Sequence, residues 1–96
     1  MFVGSLEIDL LLGDIHSLKQ KRSVVRPIVA SLARLRVAVA EVDDLDLHRR
    51  ARIGVAAVAG DVRHVGEILD ACESLVSNRP EIEVLSVRRH IRGSDD

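Results

Sequence analysis

Twice along this 96-residue chain, an alternating run of residues gives way to a capped stretch at helical spacing and then to another extended run. No other feature narrows the fold as much. Period two marks a half-buried strand and period 3.6 an amphipathic helix, and the order in which they occur limits the topologies.

The first run, Phe2 to Leu12, places Leu6, Ile8 and Leu10 on one side and Ser5, Glu7 and Asp9 on the other, and Gly13-Asp14 breaks it. Ser17-Leu18-Lys19-Gln20 is a capping box, in which the Ser side chain accepts from the Gln20 amide and Gln20 reaches back. Leu18, Val25, Ile28, Leu32 and Leu35 follow at helical spacing. Pro27, inside this helix, lacks the N–H for its bond four residues back, which predicts a kink or broken turn near Ser23.

A second strand is expected from Arg36 to Asp43, with Ala38, Ala40 and Val42 on one face and Val37, Val39 and Glu41 on the other. The segment Asp43 to Arg50 is acidic at its start and basic at its end, which fits one helical turn or a charged hairpin loop. Ala51 to Ala59 reads as a third strand, and Asp61 caps a second helix running to about Asn78. Val62, Val65, Ile68, Cys72, Leu75 and Val76 form the apolar stripe of that helix, and Pro80 stops it. Ile82 to about Ile91 is the fourth strand; residues 93–96 form a polar tail, expected to fray.

The order βαββαβ is that of the ferredoxin-like fold, an α+β domain over residues 1–92. Right-handed crossovers give an antiparallel sheet of order 4-1-3-2 with both helices on one face. The other face is then bare. With Leu6, Ile8, Ala38, Ala40, Ile53, Val55 and Val84 beneath the helices, the exposed set includes Val3, Ser5, Glu7, Asp9, Val37, Val39, Glu41, Arg52, Gly54, Ala56, Val58, Glu83, Leu85, Val87 and Arg89. A monomer rarely leaves so mixed an aliphatic patch in water. A homodimer through this face is therefore expected, with Val3, Ser5, Glu7, Val37, Val39, Arg52, Gly54, Ala56, Leu85 and Val87 at the interface.

Composition excludes several functions. Hydrophobic residues make up 47% of the chain, but Phe2 is the only aromatic, so no platform exists on which bases could stack. Fourteen Lys and Arg against fifteen Asp and Glu leave a net charge of −1 and no global attraction to nucleic acid or an anionic membrane. The lone Cys72 falls on the apolar stripe of the second helix, where it acts as a small hydrophobe rather than a nucleophile. His16, His48, His64 and His90 lie in separate segments without metal-ligand spacing, and there is no Gly-rich phosphate loop, GxSxG or HExxH. No catalytic residue, metal or cofactor is expected. With no disulfide partner, signal-like start or membrane-length apolar run, a cytoplasmic setting is expected and a membrane partner is not.

The most pointed local feature is basic. His16, Ser17, Lys19, Lys21, Arg22 and Arg26 cluster at the start of the first helix, where the helix dipole alone would favour acids. An anion such as phosphate suits that end, with its free amides. The alternative is that Lys21 and Arg22 flank the apolar stripe and pair with Glu41 or Asp43. Arg49, Arg50 and Arg52, and Arg88, Arg89, His90 and Arg92, are further basic runs of the kind solvated edges carry.

His16-Ser-Leu-Lys-Gln-Lys-Arg22, Val39-Ala-Glu-Val-Asp43, Asp46-Leu47 with Arg50-Ala51, Gly54 and Asn78-Arg-Pro-Glu-Ile-Glu-Val-Leu85 together resemble the YlxP-like family, small bacterial proteins of unknown function. The resemblance reaches to about Ile91. It implies a ferredoxin-like fold and a genomic neighbourhood of transcription, translation-initiation and ribosome-maturation genes, hence a role near RNA or the ribosome. It points to His16, Ser17, Lys19, Lys21, Arg22, Glu41 and Asp43, and the family has no established catalytic residues. Where the family commonly has Trp this chain has His48, and Asp44-Leu45 replaces a His-Gln pair. Two functions follow as expectations. One is a non-enzymatic accessory factor in ribosome assembly or translation, with ribosomal RNA or the small subunit as partner. The other is a self-associating regulatory or ligand-binding module like the ACT domains.

Overall fold

The computed structural model describes residues 1–94. Its elements are β1 (Phe2–Leu12), α1 (Leu18–Ala33), β2 (Ala38–Asp43), β3 (Arg50–Ala59), α2 (Val62–Ser77) and β4 (Ile82–Gly93). The sheet runs β2-β3-β1-β4 with every neighbouring pair antiparallel, as the crossover rule requires. α1 packs beside β2, and α2 covers β1, β3 and β4.

Both helices start where their caps place them. Ser17 Oγ accepts from the Gln20 amide at 3.1 Å, and Asp61 Oδ1 accepts from the His64 amide at 2.7 Å. Gln20 reaches back to the His16 amide at 2.7 Å, one residue before the cap. α1 continues unbroken through Pro27, unlike the expected broken turn. Pro27 and Ser23 lie on the exposed side, where water can serve the carbonyl that Pro27 leaves unbonded.

The core is aliphatic: Leu6, Ile8, Leu10 and Leu12 from β1 meet Ile53 and Val55 from β3, Ile28 and Leu32 from α1, and Val65, Leu69 and Val76 from α2. Gly4 lets α2 approach the sheet, since a Cβ there would stand 2.8 Å from Leu69 Cδ1 and 2.9 Å from Val65 Cγ2.

Both edge strands depart from the expected parity. In β2, Val39 pairs with the buried Val55 and Glu41 with the buried Ile53, so Val37, Val39 and Glu41 face the helices. Ala38 and Ala40, opposite Ala56 and Gly54, lie on the open face instead. The larger aliphatics fill the core, and Glu41 turns inward to meet a lysine of α1. In β4 the cause is a bulge: Asp9 pairs with Ser86 but Leu10 with Val84, leaving Leu85 as the extra residue. Beyond it Val87, Arg89 and Ile91 face the helices, while Ser86, Arg88, His90 and Arg92 take the open face. Val37, Val39 and Val87 are therefore not on the face assigned to a dimer interface, and neither are Glu41 and Arg89.

β2 starts at Ala38 rather than Arg36, because Arg36 adopts a left-handed conformation (φ 62°) as the chain leaves α1. The segment between β2 and β3 is a hairpin loop rather than a helical turn. Asp44 is left-handed (φ 61°), and its carbonyl accepts from the Leu47 amide at 3.1 Å. β4 runs to Gly93, and the Ser94 amide donates to the Met1 carbonyl at 2.9 Å. Of the polar tail, Asp95 and Asp96 lie outside the described residues.

Candidate nucleic-acid interface

The basic start of α1 divides by helical geometry. Residues 19, 22 and 26 are spaced by three and four, so Lys19, Arg22 and Arg26 share one exposed stripe. With Ser23 and Pro27 they line a shallow depression. Among the described residues none of these three cations has an ion-pair or hydrogen-bond partner on its side chain. The reason is visible in the chain itself: no Asp or Glu occurs between Ile15 and Ala40.

Lys21 belongs to the fold. It is only 2% exposed, with Nζ 2.8 Å from Glu41 Oε2 and donating to the Asp44 carbonyl at 2.6 Å. It thus ties α1 to the base of the β2–β3 loop and is not available to an anion in solution. Lys21 thus takes the strand-carboxylate pairing that is the alternative to anion binding, and Arg22 takes no such part. Ser17 spends its oxygen on the helix cap, and His16 Nε2 lies 2.9 Å from Asp14 Oδ1 in an exposed pair.

The other basic runs are absorbed unevenly. Arg49 donates to the Gly13 carbonyl at 3.1 Å, Arg50 Nη2 lies 2.7 Å from Asp9 Oδ2, and Arg52 lies 3.4 Å from Asp43. Arg89 meets Asp70 at 2.8 Å and Glu73 at 3.6 Å on α2. Arg88, His90 and Arg92 have no such partner among the described residues. In the sequence Arg88, Arg89, His90 and Arg92 form one run, because the bulge that sorts them onto opposite faces leaves no local signal.

Cys72 is fully buried, and burial pushes its thiol upward in pKa, so it stays protonated near neutrality and unsuited to nucleophilic work. Among the described residues no group of three or more His, Cys, Asp or Glu is placed to hold a metal ion. Among the described residues no helix is long and apolar enough to cross a membrane.

Residues 3–89 match the profile of a family described as "Protein of unknown function (DUF503)". The chain belongs to this family. It is similar to the uncharacterized protein YlxP of Bacillus subtilis (strain 168), with 28% identity over 82 residues, covering 84% of this chain and 89% of that protein. Among solved structures it is similar to a de novo designed protein with a ferredoxin fold, determined in solution by NMR. The TM-score is 0.51 at 16% identity, covering 98% of this chain and 88% of the design. A designed relative carries a fold and no natural activity, so membership of DUF503 and the ferredoxin-like architecture stand together without an assigned chemistry.

Proposed function

We propose that the protein is a non-enzymatic accessory factor of ribosome assembly or translation that meets RNA phosphate through the exposed side of α1. One observation carries this reading. Lys19, Arg22 and Arg26 stand in a row without a carboxylate partner on a helix that contains no acid at all. Like charges at these spacings cost stability, so the fold itself gives no reason for them. Phosphate contacts are the mode open to such a surface, because Phe2, the only aromatic, packs against the core.

The test is binding to ribosomal RNA fragments and co-sedimentation with ribosomal subunits across a salt series. Wild-type affinity is expected to fall as salt rises, with about two to three phosphates neutralised by the stripe. The variant Lys19→Gln/Arg22→Gln/Arg26→Gln is expected to lose at least about tenfold in affinity and about two to three from the salt slope. Retention of wild-type binding by this variant rejects the mechanism.

A second reading, self-association through the open sheet face, is supported by a different surface. Ala38, Ala40, Gly54 and Ala56 floor an open groove of about 470 Å³ bounded by Ser5, Glu7 and Val42, and Val3, Val58 and Leu85 are exposed beyond it. Gly54 keeps the groove open beneath the bulged Val42, whose Cγ1 would stand 2.7 Å from a Cβ at that position. A second copy seated here would make this an ACT-like pairing, and analytical ultracentrifugation that finds only a 10.5 kDa species at high concentration removes it.

A further inference from the structure

We propose that the open-face side of β4 is a second phosphate-binding surface, so that one molecule holds two segments of RNA on opposite sides. The proposal rests on the reading of α1 as an RNA contact and extends it to a surface which that reading leaves unused.

The bulge at Leu85 creates this surface. Without it, Arg88 and His90 would turn toward α2 and Arg89 would face outward. With it, Arg89 is drawn to Asp70 and Glu73, while Arg88, His90 and Arg92 fall on alternate positions of the open face. Alternate residues of a strand stand about 6.7 Å apart, so the three form a straight column of about 13 Å. That spacing suits successive phosphates of an extended backbone.

The column's charge comes from Arg88 and Arg92, and one carboxylate stands beside it. β4 is an edge strand, and its open-face neighbours on β1 are Glu7, Ser5 and Val3. Glu7 lies across from Arg88, yet no ion pair joins them, and His90 and Arg92 face an uncharged serine and valine. Arg88, His90 and Arg92 are all exposed. Arg suits phosphate, since its planar fork donates two parallel hydrogen bonds to an oxyanion.

Position makes the surface separate from that on α1. The helices cover one side of the sheet and this column faces the other; α1 packs at the β2 edge, and β4 is the opposite edge. The molecule is about 20 Å across in its two shorter dimensions. A straight RNA segment on one surface therefore does not reach the other, and two segments are required to fill both.

The test uses two RNA stem-loops, one labelled with a donor and one with an acceptor dye, the wild type, the α1 triple variant above, and a β4 variant, Arg88→Gln/His90→Gln/Arg92→Gln. Wild-type protein is expected to bring the two labels together, and either variant is expected to abolish that transfer. The β4 variant is expected to retain α1-mediated binding with the salt slope reduced by about two. An equimolar mixture of the two variants is expected not to restore transfer, because each molecule must carry both surfaces. A β4 variant that binds and bridges like wild type overturns the proposal while leaving the α1 reading intact. Restoration by the mixture overturns it in favour of a dimer with one surface per copy. Tighter binding of poly-glutamate than of RNA to the α1 variant overturns it in favour of an acidic protein segment. If wild-type protein binds neither stem-loop, the α1 reading falls with it.

Discussion

The two helices are equal in length and role but opposite in surface charge. Each has sixteen residues, a side-chain cap and a four-residue buried stripe, Lys21, Val25, Ile28 and Leu32 in α1 and Val65, Leu69, Cys72 and Val76 in α2. The exposed side of α1 carries Lys19, Arg22 and Arg26 with no acid. α2 carries Glu67, Asp70 and Glu73, which are engaged by Arg63 of the same helix or Arg89 of the sheet. Packing sets the inner stripes and leaves the outer residues unspecified. A charged outer residue with a partner needs no explanation beyond the fold, whereas a row without partners calls for one outside it.

The comparison breaks most sharply at Lys21, the charged residue that α1 spends on its own packing. Lys21→Ala leaves Glu41 inward-facing and unpaired and frees the Asp44 loop, and is expected to cost about 3 kcal/mol in urea unfolding. The double variant Lys21→Met/Glu41→Met is expected to recover most of that loss, because an apolar pair of similar volume avoids the desolvation of both charges. On the α2 side the largest effect lies beneath the helix. Gly4→Ala drives a methyl into Leu69 and Val65 and is expected to cost about 1–3 kcal/mol, read by the same denaturation.

Smaller effects separate the two outer surfaces. Arg89→Ala removes the link between β4 and α2, but Asp70 is 71% exposed, so thermal unfolding is expected to register about 0.5 kcal/mol or less. Lys19→Gln/Arg22→Gln/Arg26→Gln is expected to go the other way, gaining about 0.2–0.5 kcal/mol at low salt as like charges are removed, with the gain fading in 1 M salt. A loss of stability in this variant would place the stripe among the packing interactions and erase the contrast with α2.

Much of this architecture was legible in the chain. The capping serine and aspartate, the stripes at 3.6 spacing and the glycine and proline breaks mark each element within a few residues, and the order of elements leaves one topology. The faces of β1 and β3 were legible too, because large aliphatics there alternate with polar, charged or small residues. The faces of β2 and β4 were not. Into the first half of β2 every residue from Val37 to Ala40 is aliphatic, so periodicity does not say which half is buried. In β4 one inserted residue reverses the parity of all that follow it.

The candidate surface divides in the same way. The sequence by itself determined that a cationic run starts the first helix, that a single aromatic makes no stacking platform and that the chain builds a ferredoxin-like sheet with one face uncovered. These follow from residue type and local spacing. Only the tertiary structure decided that Lys21 is buried against Glu41, that Arg89 belongs to α2, and that Arg88, His90 and Arg92 form a column of their own. Ion pairs and strand registers join residues that are tens of positions apart. Whether a charge is spent inside the fold or offered to a partner depends on which distant segment comes to lie beside it.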